Sequence, residues 1–84
     1  MMNTLEKLIE KIEQILSEHG IYVKIKQDSK LIQEYPIDSI IAIEILINVE
    51  ETFGIDIDDD ELSLELLDTP TVLSEYIERK LTNK

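Results

Sequence analysis

The sequence predicts an all-α fold, a small bundle of three main helices plus one short helix, with a long loop between the first and second helices. Three stretches place apolar residues three and four positions apart, which gathers them on one side of a helix. The same stretches begin or end at residues typical of helix termini. One segment alternates as a strand would, but no second segment of similar quality could pair with it.

Length, composition and charge limit what the protein can be. With 84 residues, the chain can bury one core, so we expect residues 1–84 to form a single domain. A formal net charge of -11 would repel nucleic acid and attract a basic protein surface. The lack of cysteine excludes disulfides, thiolate metal sites and a cysteine nucleophile. Because no uncharged run is long enough for a signal peptide or a membrane span, we expect a cytoplasmic protein that does not bind membranes. We also expect it to be a monomer.

The first predicted helix covers residues 4–18. Its apolar residues form one stripe: Leu5, Leu8, Ile9, Ile12, Ile15 and Leu16. Asn3 can cap the start of this helix with Glu6 three residues on, and Gly20 can end it in the left-handed conformation.

A long connection is predicted over residues 20–37. Residues 21–26 alternate between apolar and polar, but a lone strand would leave its backbone groups unpaired. We therefore expect a loop that apolar residues hold against the core: Val23, Ile25, Leu31 and Ile37. A loop of this length is unusual unless it has a function.

The second predicted helix runs from Ser39 to about Phe53. Pro36 disfavours helix at Tyr35, Asp38 is a strong N-cap, and Gly54 closes the helix. One apolar side is predicted to face the core: Ala42, Ile45, Leu46, Val49 and Phe53. The opposite side carries Ile40, Ile43 and Ile47, interleaved with Glu44 and Glu51. This second apolar side is either covered by the long loop or left exposed as a docking stripe with an acidic rim.

Two further helices are predicted in the C-terminal third. Asp58 can cap a short helix that continues through Glu61, Leu62 and Leu64. Thr69 and Pro70 form a cap and first-position pair for the last helix. Its inward residues are predicted to be Val72, Leu73, Tyr76, Ile77 and Leu81, and its basic residues Arg79 and Lys80 lie near the negative end of the helix dipole.

Ser39 is the candidate functional residue. A serine at the first position of a helix, after an aspartate cap and a long loop, has an exposed hydroxyl that another enzyme can reach. A phosphodiester attached there would lie by the free N–H groups and the positive end of the helix dipole. The Asp38-Ser39 pair alone is also what an ordinary helix start contains.

A wider pattern carries more information than this dipeptide. It consists of Ile37–Ile40, Glu44, Glu50–Ile57, Thr69–Val72 and Tyr76–Ile77. The pattern resembles the acyl carrier protein family, which has Asp-Ser-Leu at the start of the second helix and a Glu five residues after the serine. Members continue with Glu-Glu-x-Phe, an alternating isoleucine segment and a Thr that opens the last helix. The resemblance covers nearly the whole chain in order and spacing.

The resemblance implies a carrier that performs no catalysis of its own. A phosphopantetheinyl transferase (holo-carrier synthase) would move phosphopantetheine from coenzyme A to Ser39 with a magnesium ion, and Asp38 would assist that transfer. The arm would hold acyl intermediates of fatty acid or related (polyketide, lipid or aminoacyl) biosynthesis as thioesters, supplying the thiol that the chain lacks. The positions that match partner-binding residues of the family are Ile40, Ile43, Glu44, Ile47, Glu50 and Glu51.

The implied partners are acyl-transferring, condensing or ligating enzymes that carry basic docking patches, and the acidic rim would steer them. Two positions depart from the family pattern. Pro36 stands where a glycine is usual, and Ile41 where many members have an aspartate. These departures bear on which partners and which acyl cargo the carrier would use.

Other functions are weighed against this one. Asp56, Asp58 and Asp60 have the spacing of calcium-loop ligands. The loop fails at two other positions, because Glu61 stands where a glycine is needed and Leu67 where a glutamate is needed. A hydrolase would need a base, and the single histidine, His19, is better placed as a helix C-terminal residue.

Two alternatives stay open at this point. Tyr35 could touch the arm or anchor the loop, of which we favour the anchor. The chain could also be an unmodified acidic binding module that uses the same outer side of the second helix to hold a basic partner.

Overall fold

The computed structural model describes residues 3–58, 60 and 64–82. Its α-helices are α1 (Thr4–Glu18), α2 (Leu31–Glu34), α3 (Ser39–Phe53) and α4 (Pro70–Thr82), and a 3-10 helix covers Leu64–Leu67. The described residues contain no strand, so the all-α prediction is confirmed. None of the helices in these ranges combines the length and apolar character needed to cross a bilayer.

The core lies where α1 packs against α3 and α4. Each of these helices contributes side chains that are essentially inaccessible to solvent, among them Leu8, Ile12, Leu16, Ile45, Val49, Leu73 and Ile77. Residues of the loops, of α2 and of the 3-10 helix close the core at its edges: Ile25, Leu31, Ile37, Ile55, Ile57 and Leu67. The predicted apolar stripe of the first helix is buried at Leu8, Ile12, Ile15 and Leu16 and partly buried at Leu5 and Ile9.

The predicted helix termini are confirmed by hydrogen bonds. The Asn3 side chain accepts a bond of 2.8 Å from the Glu6 N–H at the start of α1. Gly20 has φ 81, and the N–H of Ile21 reaches back to the Leu16 carbonyl at 2.9 Å, the closing bond of a Schellman motif. Gly54, with φ 66, ends α3 in the left-handed conformation.

The connection between α1 and α3 is more ordered than predicted, since it contains the four-residue helix α2. The alternating segment forms no strand. Its Ile25 N–H donates instead to the Glu13 side chain at 2.8 Å, and the Gln27 carbonyl accepts from both the backbone and the hydroxyl of Thr71, at 3.0 and 2.8 Å. Side chains and distant backbone groups therefore satisfy polar groups that a sheet would otherwise pair.

The residue before Pro36 behaves as predicted. Tyr35 ends α2 with φ -127 and ψ 153, the extended conformation that the following proline imposes. α3 then begins three residues after the proline.

Two predictions about inward residues are wrong, and a third, for Phe53, is confirmed only in part. Val72 and Leu81 each expose 38% of their surface. Val72 lies about 100° around the helix from Leu73 and so flanks the buried stripe, whereas Ser74 belongs to it. Leu81 lies in the last turn of the helix, at the edge of the core. Phe53 packs against the core but is only partly buried, because it occupies the last position of α3.

The predicted short helix falls mainly on residues 59 and 61–63, which lie outside the described residues. The 3-10 helix Leu64–Leu67 follows them. Asp58, the predicted cap, has its carboxylate 3.3 Å from Nζ of Lys80. The last helix starts as predicted, with the Thr69 hydroxyl accepting a 3.1 Å bond from the Val72 N–H.

Candidate functional site

Ser39 is the first residue of α3 and is exposed. Its hydroxyl makes no hydrogen bond with any residue in the described ranges. The oxygen is therefore accessible and is not occupied by an internal partner. It also lies at the positive end of a 15-residue helix, where a negative group is favoured.

Asp38 fixes the start of the helix beside the serine. Its side chain accepts a 2.9 Å hydrogen bond from the Ile41 N–H, and its carbonyl accepts the first helical bond, from Ala42 at 2.9 Å. Of the four N–H groups that a helix start leaves unpaired, those of Ser39 and Ile40 have no partner among the described residues. One carboxylate oxygen of Asp38 is thus engaged in capping, and the other has no hydrogen bond with a described residue.

Two buried isoleucines hold this corner of the molecule in place. Ile37 precedes the cap with 7% of its surface exposed, and Ile41 follows it with 8%. Ile41 is the position where a family member would often carry aspartate, and its burial explains why an apolar residue suits this chain. Ser39 therefore projects from a rigid base between two anchored residues.

The other serines lack this combination of features. Ser29 and Ser74 are buried. Ser17 and Ser74 donate to backbone carbonyls three residues before them, at 2.7 and 2.9 Å, and Ser29 accepts from a backbone N–H at 2.9 Å. Ser63 lies outside the described residues. Among the described serines, Ser39 alone has an exposed hydroxyl without a protein partner.

The outer side of α3 is left exposed by the long connection. Ile40 exposes 74% of its surface, Ile43 47% and Ile47 46%. We refer to these three residues as the outer stripe. Of the two alternatives for this side of the helix, coverage by the loop is therefore wrong, and three large apolar side chains face solvent beside Ser39.

The three predicted partner-binding glutamates differ in their surroundings. Oε1 of Glu44 lies 2.6 Å from Nε2 of His19, at the end of α1. Oε2 of Glu50 accepts a 2.8 Å bond from the Ile57 N–H, just beyond the end of α3. Glu51 is exposed, and its carboxylate has no hydrogen bond or ion pair with any described residue.

Tyr35 anchors the loop. Its hydroxyl lies 3.4 Å from the Ser29 hydroxyl and 3.5 Å from the Lys24 carbonyl oxygen. These contacts agree with the favoured alternative for this residue.

No three metal-ligating side chains come together within the ranges that the structure describes. This statement does not extend to the acidic residues 59 and 61, which lie outside those ranges. Asp58, one of the acidic residues with calcium-loop spacing, forms an ion pair with Lys80.

The chain is similar to known proteins over most of its length. The family described as phosphopantetheine attachment site matches residues 6–77, a range that includes all of α3. Among curated proteins, the acyl carrier protein of Thermotoga maritima is 30% identical over 82 residues, covering 95% of this chain and 99% of that protein. No solved structure gives a significant match.

Proposed function

This chain belongs to the acyl carrier protein family, whose prosthetic group is a covalently attached phosphopantetheine, and from that membership we propose that Ser39 is the attachment point. The observation that supports the proposal is the exposed, unpartnered Ser39 hydroxyl at the N-terminus of α3, inside the matched range. The charge at that helix end favours the phosphodiester that the reaction leaves there.

The attachment reaction transfers one phosphoryl group. With coenzyme A bound in a phosphopantetheinyl transferase, Ser39 Oγ attacks the phosphorus that bears the pantetheine. A new O–P bond forms, the pyrophosphate P–O bond to the adenosine 3′,5′-bisphosphate leaving group breaks, and the hydroxyl proton passes to a base of the transferase. The oxygen of Asp38 that does not cap the helix is suited to a magnesium ion in that complex.

The protein then serves as a carrier and catalyses nothing itself. The attached arm supplies a thiol on which acyl groups are held as thioesters. The chain contributes an accessible tether point on a rigid helix and a surface that partner enzymes recognise. We propose that it acts in the cytoplasm, in fatty acid or a related acyl (polyketide, lipid or aminoacyl) pathway.

Partner enzymes are proposed to dock on α3 beside Ser39. The exposed outer stripe offers apolar contact, and the neighbouring glutamates favour enzymes with basic patches. The net charge of -11 would steer such enzymes toward the carrier and make their association sensitive to salt. These enzymes include the transferase itself and those that load, condense or ligate acyl groups.

Intact-mass spectrometry tests the proposal. The purified protein is incubated with coenzyme A, magnesium and a phosphopantetheinyl transferase that accepts acyl carrier proteins. We expect the wild type and Ser17→Ala to gain one phosphopantetheinyl group and Ser39→Ala to gain none. If the wild type gains no mass, the chain is instead an unmodified acidic binding module.

A further inference from the structure

The contact between His19 and Glu44 lies within the proposed docking surface. Glu44 is four residues after Ile40 and three before Ile47, so it shares their side of α3. Nε2 of His19 approaches its Oε1 to 2.6 Å, and the two side chains are similarly exposed, at 37% and 38%. The imidazole at the end of α1 therefore contacts a carboxylate in the middle of the surface that partners would bind.

The end of α1 positions the histidine for this contact. His19 is the C-cap residue, and its N–H bonds to the Leu16 carbonyl at 3.0 Å. Leu16 on α1 and Ile45 on α3 are both fully buried, and α1 packs against α3, so the packing of the two helices fixes the separation of the pair. Because a histidine side chain has few rotatable bonds, holding this contact costs less conformational entropy than it would for a lysine at the same place.

The pairing changes what the acidic rim offers a partner. The Glu44 carboxylate contacts the His19 imidazole, and the Glu50 carboxylate accepts a hydrogen bond from the Ile57 N–H. Of the three glutamates that match partner-binding positions, only Glu51 has a carboxylate with no hydrogen bond or ion pair to a described residue. A partner that fits this surface would have an apolar patch for the outer stripe and a cation placed for Glu51.

We propose that His19 is a specificity-determining residue that withdraws Glu44 from partner enzymes, a role that rests on the docking function proposed above for α3. In its protonated form the imidazole neutralises the carboxylate, and in its neutral form it still occupies one oxygen with a hydrogen bond. The partners favoured are those that recognise the outer stripe and Glu51. Partners that depend on a cation facing Glu44 are disfavoured.

Transfer kinetics test this role. The KM of a phosphopantetheinyl transferase for the apo protein is measured at low salt for the wild type, His19→Ala, Glu44→Gln and the double variant. We expect His19→Ala to lower KM about two- to five-fold, because it frees an exposed carboxylate to meet the basic enzyme. Glu44→Gln should change KM little alone but should remove the whole gain in the His19→Ala background.

Four controls accompany this experiment. Glu51→Gln should raise KM in both histidine backgrounds, because that carboxylate has no internal partner. Raising NaCl to about 0.5 M should abolish the difference between wild type and His19→Ala, because the freed contact is electrostatic. His19→Asn, whose side chain is shorter and carries no positive charge, should lower KM in the same direction as His19→Ala. The thermal midpoints of all variants show that they remain folded.

The outcomes separate the two proposals. A wild type that the transferase modifies, with the same or a higher KM for His19→Ala and His19→Asn, overturns the role of His19 alone. A KM effect of His19→Ala that persists in the Glu44→Gln background also overturns it, since the effect then does not pass through the carboxylate. A wild type that is not modified overturns attachment at Ser39 and the docking role together.

Discussion

The carboxylate of Glu50, in the last turn of α3, accepts a hydrogen bond from the backbone N–H of Ile57, 2.8 Å away. This contact spans the left-handed turn at Gly54 and holds the following segment against the bundle, where Ile55 and Ile57 are each 5% exposed. Glu50 therefore supports the fold at a position where the family pattern suggested a partner contact. Its neighbour Glu51 has no such bond.

Replacing these adjacent glutamates should separate the two roles. We expect Glu50→Ala to lower the free energy of unfolding by about 1 to 3 kcal/mol, because the Ile57 N–H loses its acceptor. Glu51→Ala should change it by less than about 0.5 kcal/mol. Urea denaturation of both variants measures the difference, and equal stabilities would contradict a structural role for Glu50.

Substitutions of Asp38 should separate helix capping from phosphopantetheine transfer. Asp38→Ala should cost about 1 kcal/mol of stability through loss of the bond to the Ile41 N–H. Asp38→Asn can keep that bond, so its stability should match the wild type within a few tenths of a kcal/mol. If the carboxylate assists transfer, Asp38→Asn should still be modified more slowly than the wild type. Transfer at the wild-type rate would refute that assistance.

An acidic residue at position 41 should not be tolerated in this chain. Ile41 is 8% exposed, so Ile41→Asp both removes a buried side chain and places a charge in the core. We expect a loss of at least about 2 kcal/mol in the free energy of unfolding. Ile40→Asp is the matched control: this side chain is 74% exposed and near the helix start, so the loss should stay below about 0.5 kcal/mol. A similar loss for both variants would show that Ile41 is not the anchor of this corner.

Phe53 should contribute less to stability than the buried leucine on the same helix. Its ring is partly buried and has Nζ of Lys7 5.6 Å from its centroid. We expect Phe53→Ala to lower the free energy of unfolding by about 1 to 3 kcal/mol. Leu46 is 2% exposed, so Leu46→Ala should lower it by about 2 to 5 kcal/mol. Thermal unfolding of the two variants measures the order, and a more damaging Phe53→Ala would mean that the ring is a core residue.

The long helices could be predicted because their signals are local. The spacing of apolar residues predicted which side of each helix faces the core. The first two long helices begin and end at the predicted residues: Asn3, Gly20, Asp38 and Gly54. The same periodicity was less accurate at the end of a stripe, as at Leu81, because spacing alone does not say how far the neighbouring elements extend. The Ser39 corner was predicted from an N-cap, a proline and a loop, which are also local signals.

The features that sequence reasoning missed depend on contacts between distant residues. α2 has four residues and one buried leucine, and the Leu31 N–H at its start bonds to the Asp68 carbonyl at 3.0 Å. The pairing of His19 with Glu44 joins residues 25 positions apart. Only the packing of the bundle brings such groups together. The contact of Glu50 with Ile57 had a local signal, since the glutamate lies seven residues before an apolar residue, across a glycine turn.

The central claim is that Ser39 carries the phosphopantetheine, and site localisation tests it most directly. Protein co-expressed with a phosphopantetheinyl transferase is digested, and fragmentation mass spectrometry locates the added group along each peptide. The account predicts one phosphopantetheinyl group, on Ser39, with Ser17, Ser29, Ser63 and Ser74 unmodified. A group on any other residue, or an unmodified Ser39 peptide from protein exposed to an active transferase, would contradict it.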